Sequence, residues 1–220
     1  MRITRRQFCE STAKLALAGA VLAALPRTFD LVAPALAQVS TEELMVAGPL
    51  GDVAQGDAKA PVTLIEYASL TCPHCADFYA RVYPVLKERY IDTGKLRFIF
   101  REFPRDGLDL AAFMLARCAG EDKFLPFIDV MFERQKDWAF VKEPRLPMMA
   151  ISKQAGFTQA SFEACLTNQQ IEDGVRFVRD RAAEKLKVDS TPTLFINGKK
   201  YSGAYTPEAV GKEIEGYLKS

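Results

Sequence analysis

The sequence predicts an α/β fold, a core of strands and helices carrying an inserted all-helical subdomain. Three observations carry this reading. A strand, helix and strand follow one another within residues 61–103, only helical periodicity runs from about 107 to 167, and a helix, a hairpin and a last helix close the chain.

Each element has a local cause. Residues 61–67 form an apolar, partly β-branched run bounded by Pro61 and the turn residues 69–73, the pattern of a buried strand. From Pro73 to Tyr90 the spacing turns helical, with Phe78, Val82, Val85 and Leu86 near one face, and Pro84 is expected to kink the helix because it lacks a backbone donor. Leu96, Phe98, Phe100 and Phe103, with Arg97 and Arg101 between them, read as a second strand and complete a βαβ unit.

In the helical insertion at about 107–167, Leu110, Met114 and Cys118 fall at i, i+4 spacing, and Phe162, Cys165 and Leu166 mark a later helix. A further helix spans about 169–186 through Ile171, Val175, Val178 and Ala182. Asn197-Gly198 between residues 193–196 and 199–202 is a hairpin signal, since this dipeptide accepts the positive φ angles of a type I′ turn. Thr206-Pro207-Glu208 supplies an N-cap, a first-turn proline and a first-turn acid for a final helix to Leu218. The order βα, β, helices, α, ββ, α is the thioredoxin arrangement with a helical block after its second strand.

The 220 residues, 49% of them apolar, can bury one substantial core, and 29 basic against 28 acidic side chains remove the electrostatic footprint of a nucleic-acid binder. Residues 1–37 read as a cleaved signal peptide: Arg2, Arg5 and Arg6 precede a wholly apolar run at 15–25, and Ala35-Leu36-Ala37 supplies a small-residue cleavage site. The apolar run is well short of the roughly 20 residues that span a bilayer. Thr4-Arg5-Arg6-Gln7-Phe8 resembles the twin-arginine export signal, though Cys9 and Glu10 depart from its usual continuation and leave an ordinary Sec signal open. Either route leads to the periplasm or a similar oxidising space. Residues 38–60, polar and glycine-containing, read as an N-terminal arm to a thioredoxin-like domain at 61–219.

Removing the signal takes Cys9 with it and leaves an even set, Cys72, Cys75, Cys118 and Cys165, which in an oxidising compartment favours disulfides over a metal. No second Cys-x-x-Cys or Cys-x-x-His pair is present to complete a zinc site, and no metal or cofactor is expected. Cys72 stands at an N-cap position with Pro73 at the first helical position, so its sulfur would face the free N–H groups of His74 and Cys75 at the positive helix end. Those donors stabilise the thiolate that attacks disulfides. His74, the single histidine, can add its charge to the same end and so favour the reduced form, which makes the disulfide a stronger oxidant.

Cys72-Pro73-His74-Cys75 after the first strand, with Thr191-Pro192-Thr193 before a strand ending in Asn197-Gly198, resembles the DsbA family of thiol:disulfide oxidoreductases over about residues 58–219. The resemblance implies that Cys72 is the exposed nucleophile, that Cys75 resolves the mixed disulfide, and that Pro192 is a cis-proline leaving the Thr191 backbone to pair with an extended substrate. It also implies that Glu66 is a buried acid exchanging protons with Cys75, against the plainer reading of an acid at a strand edge. For Cys118 and Cys165 the residues alone leave a pair of small buried thiols open, and the resemblance implies a structural disulfide between them.

On this reading the protein is a monomeric oxidase that passes its Cys72–Cys75 disulfide to exported client proteins and is reoxidised by a DsbB-like membrane quinone reductase. A reductase or isomerase on the same scaffold is the alternative, weakened by an arm too short for the dimerisation domain of known isomerases. A non-catalytic chaperone that holds extended clients beside Pro192 is the rival from another class, separated by redox inertness of Cys72.

Overall fold

The computed structural model describes residues 40–219, so the signal peptide expected at 1–37 lies outside the described residues. The elements in chain order are α1 (Thr41–Met45), β1 (Val53–Gln55), β2 (Val62–Ala68), α2 (Pro73–Arg81), α3 (Tyr83–Leu86), a π-helical turn (Lys87–Ile91) and β3 (Leu96–Glu102). Then come α4 (Gly107–Cys118), α5 (Glu121–Glu133), α6 (Gln135–Trp138), α7 (Arg145–Gln154), α8 (Gln159–Leu166), α9 (Gln169–Lys185), β4 (Thr193–Ile196), β5 (Lys199–Lys200) and α10 (Pro207–Leu218). The five strands form one mixed sheet in the order β1-β3-β2-β4-β5, a thioredoxin fold with a helical block between β3 and α9.

β2 occupies the centre, parallel to β3 and antiparallel to β4, and it is mostly apolar because both sheet faces are covered. Alternation along the strands sorts the side chains. Val62, Leu64, Ala68, Leu96, Phe98 and Phe100 join the core under α2, α4 and α5, whereas Ile65, Tyr67, Ile99 and Phe195 pack with Val178 and Ala182 of α9 on the other face. Glu66, directly opposite Phe100, shares the first face and breaks the apolar run there.

Local signals set the helix boundaries. Thr206 Oγ1 accepts from Ala209 N at 3.2 Å with Pro207 next to it, Asn168 Oδ1 accepts from Ile171 N, and Thr158 and Ser161 form a capping box on α8. The helical stretch after Cys72 is broken near Pro84, where α2 gives way to the short α3 and the π-helical turn. Asn197 and Gly198 take φ of 44° and 85°, the left-handed pair that their turn requires.

Of the residues taken as an arm at 38–60, the described ones, 40–60, pack as part of the domain, which corrects that expectation. β1 pairs antiparallel with β3, and Leu44 of α1 is buried against α9 and the sheet. Arg101, which strand alternation places on a solvent face, is 2% exposed: its guanidinium donates to both oxygens of Asp52 at 2.8 Å, to Leu44 O at 2.6 Å and to Tyr67 Oη at 2.7 Å. Arg117 donates to the buried Glu102 carboxylate and, at 3.2 Å, to Leu50 O. Both arginines thus bind the first segment to the sheet through bonds that leave few charges unpaired. Gly174 lets α9 approach this segment, since a Cβ there would sit 2.4 Å from Leu50 Cγ.

Candidate active site

The site lies where β2 hands the chain to α2. Cys72 is the N-cap of α2 in an extended conformation (φ −88°, ψ 119°), and Pro73 takes the first helical position. Side chains from the helical block hold the preceding turn in place. Asp109 of α4 accepts from Leu70 N at 2.8 Å and from Arg105 N at 3.0 Å, and the amide of Gln135 on α6 donates to Leu70 O at 2.7 Å and to Cys72 O at 3.0 Å. Burial pushes the Asp109 carboxyl up to about 6, partly offset by the hydrogen bonds it accepts.

Opposite Cys72 runs the segment before β4. The Thr191–Pro192 peptide bond is cis, and the Cys72 thiol donates to Thr191 O at 3.3 Å. Tyr205 fastens this segment from the far side by donating to Pro192 O at 2.9 Å, while its ring meets Phe78 of α2 edge-on. A groove of about 380 Å³ opens between α2 and this segment, lined by His74, Phe78, Arg81, Thr191, Pro192 and Tyr205.

Cys72 and Cys75 are both free thiols, and their environments push them apart. The Cys72 pKa is pulled down to about 5 by hydrogen bonding from Cys75, with further help from the Thr191 side chain and the backbone N–H groups of Cys75 and His74, against an opposing cost of burial. Cys75, 0% exposed, is pushed well above the usual thiol range by burial, then by its bond to Cys72 and the charge of Glu66. Proximity to one another thus makes one sulfur an anion near neutral pH and keeps the other a thiol.

Glu66 is 0% exposed in the central strand, which excludes a strand-edge position, and burial followed by the Cys72 charge raises its carboxyl well above the carboxylate range. His74 is exposed; its backbone N–H, one of the donors to Cys72, is the contribution the geometry gives it. Cys72, expected to be exposed, is 3% exposed, a correction with a plain cause: the Thr191 segment covers the sulfur. Cys118 and Cys165 form a disulfide that ties the end of α4 to α8 within the helical block.

The structure therefore brings Cys72, Cys75, His74, Glu66, Thr191 and Pro192 to one place and sets Cys118 and Cys165 apart. Asp109, Gln135 and Tyr205 were not anticipated. Asp109 reads in the sequence as an ordinary first-turn acid of α4, and nothing marks Gln135 or Tyr205. Among the described residues no cluster of three or more His, Cys, Asp or Glu could hold a metal, and no helix is long and apolar enough to cross a membrane.

Comparison with known proteins gives a consistent picture. The thioredoxin family model matches residues 50–216. A Rickettsia typhi protein named as a protein-disulfide oxidoreductase is 33% identical over 173 residues, covering 77% of this chain and 64% of its own length. The chain thus spans less than two thirds of that relative. A Bacillus anthracis protein named for disulfide bond formation is 32% identical over 73% of this chain and 77% of its own. The crystal structure of Wolbachia pipientis alpha-DsbA1, 33% identical, superposes with a TM-score of 0.74 over 82% of this chain and 97% of that one.

Proposed function

Because the chain belongs to the DsbA-like family of the thioredoxin superfamily, we propose that it is a thiol:disulfide oxidoreductase, and specifically an oxidase of exported proteins in the periplasm. The observation that carries the reading is the split between the two sulfurs: Cys72 is held as a thiolate with a pKa of about 5 while Cys75 stays protonated. A reduced pair stabilised in this way is a good leaving state, so the Cys72–Cys75 disulfide is readily given up to a client.

The reaction runs in two exchanges. A client thiolate attacks Cys72 Sγ, breaking the Cys72–Cys75 bond, and Cys75 leaves as a thiolate that takes a proton from Glu66. A second client thiolate then attacks the client sulfur of the mixed disulfide and releases Cys72 as the stabilised thiolate. Two electrons pass from the client dithiol to the cysteine pair. The carbonyl of Thr191 facing Cys72 supports pairing of this backbone with the extended client beside the scissile bond. A DsbB-like quinone reductase restores the disulfide, and the protein works as a monomer.

The reduction potential tests the direction of this chemistry. Equilibration of the purified protein with glutathione should give a value near the strongly oxidising end, between about −100 and −180 mV. A value near the roughly −270 mV typical of thioredoxin would make the protein a reductase instead. Failure to exchange disulfides at all would leave the chaperone reading.

A further inference from the structure

Cys75 and Glu66 have no exposed surface and Cys72 almost none, yet each turnover moves a proton to or from Cys75. Among the described residues, the buried side-chain oxygens without a hydrogen-bond partner include both carboxylate oxygens of Glu66 and the hydroxyl of Tyr79. Such groups are costly unless a water or a function accounts for them. Tyr79 lies one turn beyond Cys75 on α2, and its ring meets edge-on, at 6.1 Å between centroids, the Phe100 ring that stands opposite Glu66 in the sheet. Tyr79 and Glu66 therefore both lie beside Phe100 in the layer beneath α2, within electrostatic reach of one another.

The buried Tyr79 ring also forms part of a groove wall. It stacks on Tyr83 and lies tilted on Phe132, both at 4.6 Å, and these rings with Asp129 wall a groove of about 810 Å³ that also reaches Pro73 and His74. Asp129 is exposed on this wall. Tyr79 lies within electrostatic reach of Cys75 and Glu66 on the buried side and of Tyr83 and Asp129, which line the groove.

We propose that Tyr79 relays protons between Glu66 and the Asp129-lined groove, a step that rests on the exchange reaction proposed above. After Cys75 leaves as a thiolate it takes the Glu66 proton; Glu66 then regains one from the Tyr79 hydroxyl, which receives another from the groove side in the same hop. No net charge is created on the phenol, so its own raised pKa is no barrier. No direct hydrogen bond joins Glu66 and Tyr79, so the hop between them would pass through a bridging buried water. Asp129, brought up to about 6 by partial desolvation, can hold or release a proton near neutral pH at the mouth of the route. Tyr79 acts through Glu66 and touches no client atom, so it is a positioning residue.

Single-turnover oxidation of a dithiol peptide decides the matter. Tyr79→Phe keeps every ring contact and should slow turnover on the order of tenfold, leaving the reduction potential and the Cys72 thiolate titration unchanged. In a Glu66→Gln background the same substitution should have no further effect, since the relay then serves nothing. Wild-type rates in Tyr79→Phe, or equal slowing in both backgrounds, would overturn the relay. Should Tyr79→Phe fail to fold, Asp129→Asn at the exposed end carries the decision: slower turnover supports the route and an unchanged rate overturns it. A wild-type protein that does not oxidise the peptide removes the functional reading itself, an outcome distinct from a failed relay in an active enzyme.

Discussion

The two cysteine pairs of this molecule have the same chemistry and opposite fates. Cys72 and Cys75 are free, three residues apart at a helix start, with amide donors turned toward one sulfur and a buried acid beside the other. Cys118 and Cys165, 47 residues apart, join the ends of two packed helices and meet no such field. Position on the backbone, then, decides which pair is exchangeable. A helix N-terminus lowers the thiol pKa and makes a leaving group, while a bridge between helix flanks only shortens the unfolded chain.

The largest expected effect lies on the first pair. Cys72→Ser should abolish disulfide exchange, while Cys75→Ser, which keeps the nucleophile and loses the resolving thiol, should accumulate a covalent peptide adduct that mass spectrometry places on Cys72. Adducts at Cys118 or Cys165 would erase the distinction between the pairs.

Removing the second pair should cost stability and spare the chemistry. Replacing both Cys118 and Cys165 by alanine is expected to lower unfolding free energy by about 4 kcal/mol, the chain-entropy value for a loop of this size, with peptide oxidation near the wild-type rate. Urea denaturation read beside the oxidation assay checks both halves; loss of activity in the still-folded variant would show that the pairs are coupled.

A third test uses pH. The Cys72 thiol falls from about 9 in an unfolded chain to about 5 in the folded one, so between these values the folded reduced protein binds fewer protons than the unfolded. Its contribution to stability is full above pH 9 and is lost as pH falls toward 5. The oxidised protein lacks this titration, and burial, the larger cause of the Glu66 shift, is common to both forms. The gap between reduced and oxidised unfolding midpoints should therefore move in favour of the reduced form from pH 5 to pH 8, and a constant gap would contradict the low Cys72 value.

The smallest effect belongs to His74. His74→Ser keeps the backbone N–H that helps hold the thiolate, so the Cys72 titration followed by thiolate absorbance should rise by less than about one unit. A shift of several units would transfer the main role from backbone donors to the imidazole.

What the sequence revealed and what it hid divide along the same line of local against distant causes. The Cys72 motif, the Asn197-Gly198 turn and the Thr206-Pro207 helix start are written in adjacent residues, and each element begins where those residues place it. β1 was hidden because it is three residues long and is a strand only by virtue of β3, and the burial of Arg101 was hidden because its cover comes from Asp52 and Leu44. Asp109 and Gln135 act on the backbone of the active-site turn across 39 and as many as 65 residues, distances over which no spacing rule speaks. Glu66 was visible as an acid in an apolar strand, but only the pairing of β2 on both sides makes it a buried one.

The sheet edges described above bear on how the fold meets other extended chains. β1 offers three residues and β5 two, the latter both exposed lysines. Short, charged margins are poor templates for joining another chain, so the outer strands resist the edge-to-edge growth that leads to aggregates. Unfolded polypeptides carry ample backbone ready to pair. On the proposed function, the place to receive it would be the Thr191 segment beside Cys72, confining strand pairing to the spot where exchange could release the visitor.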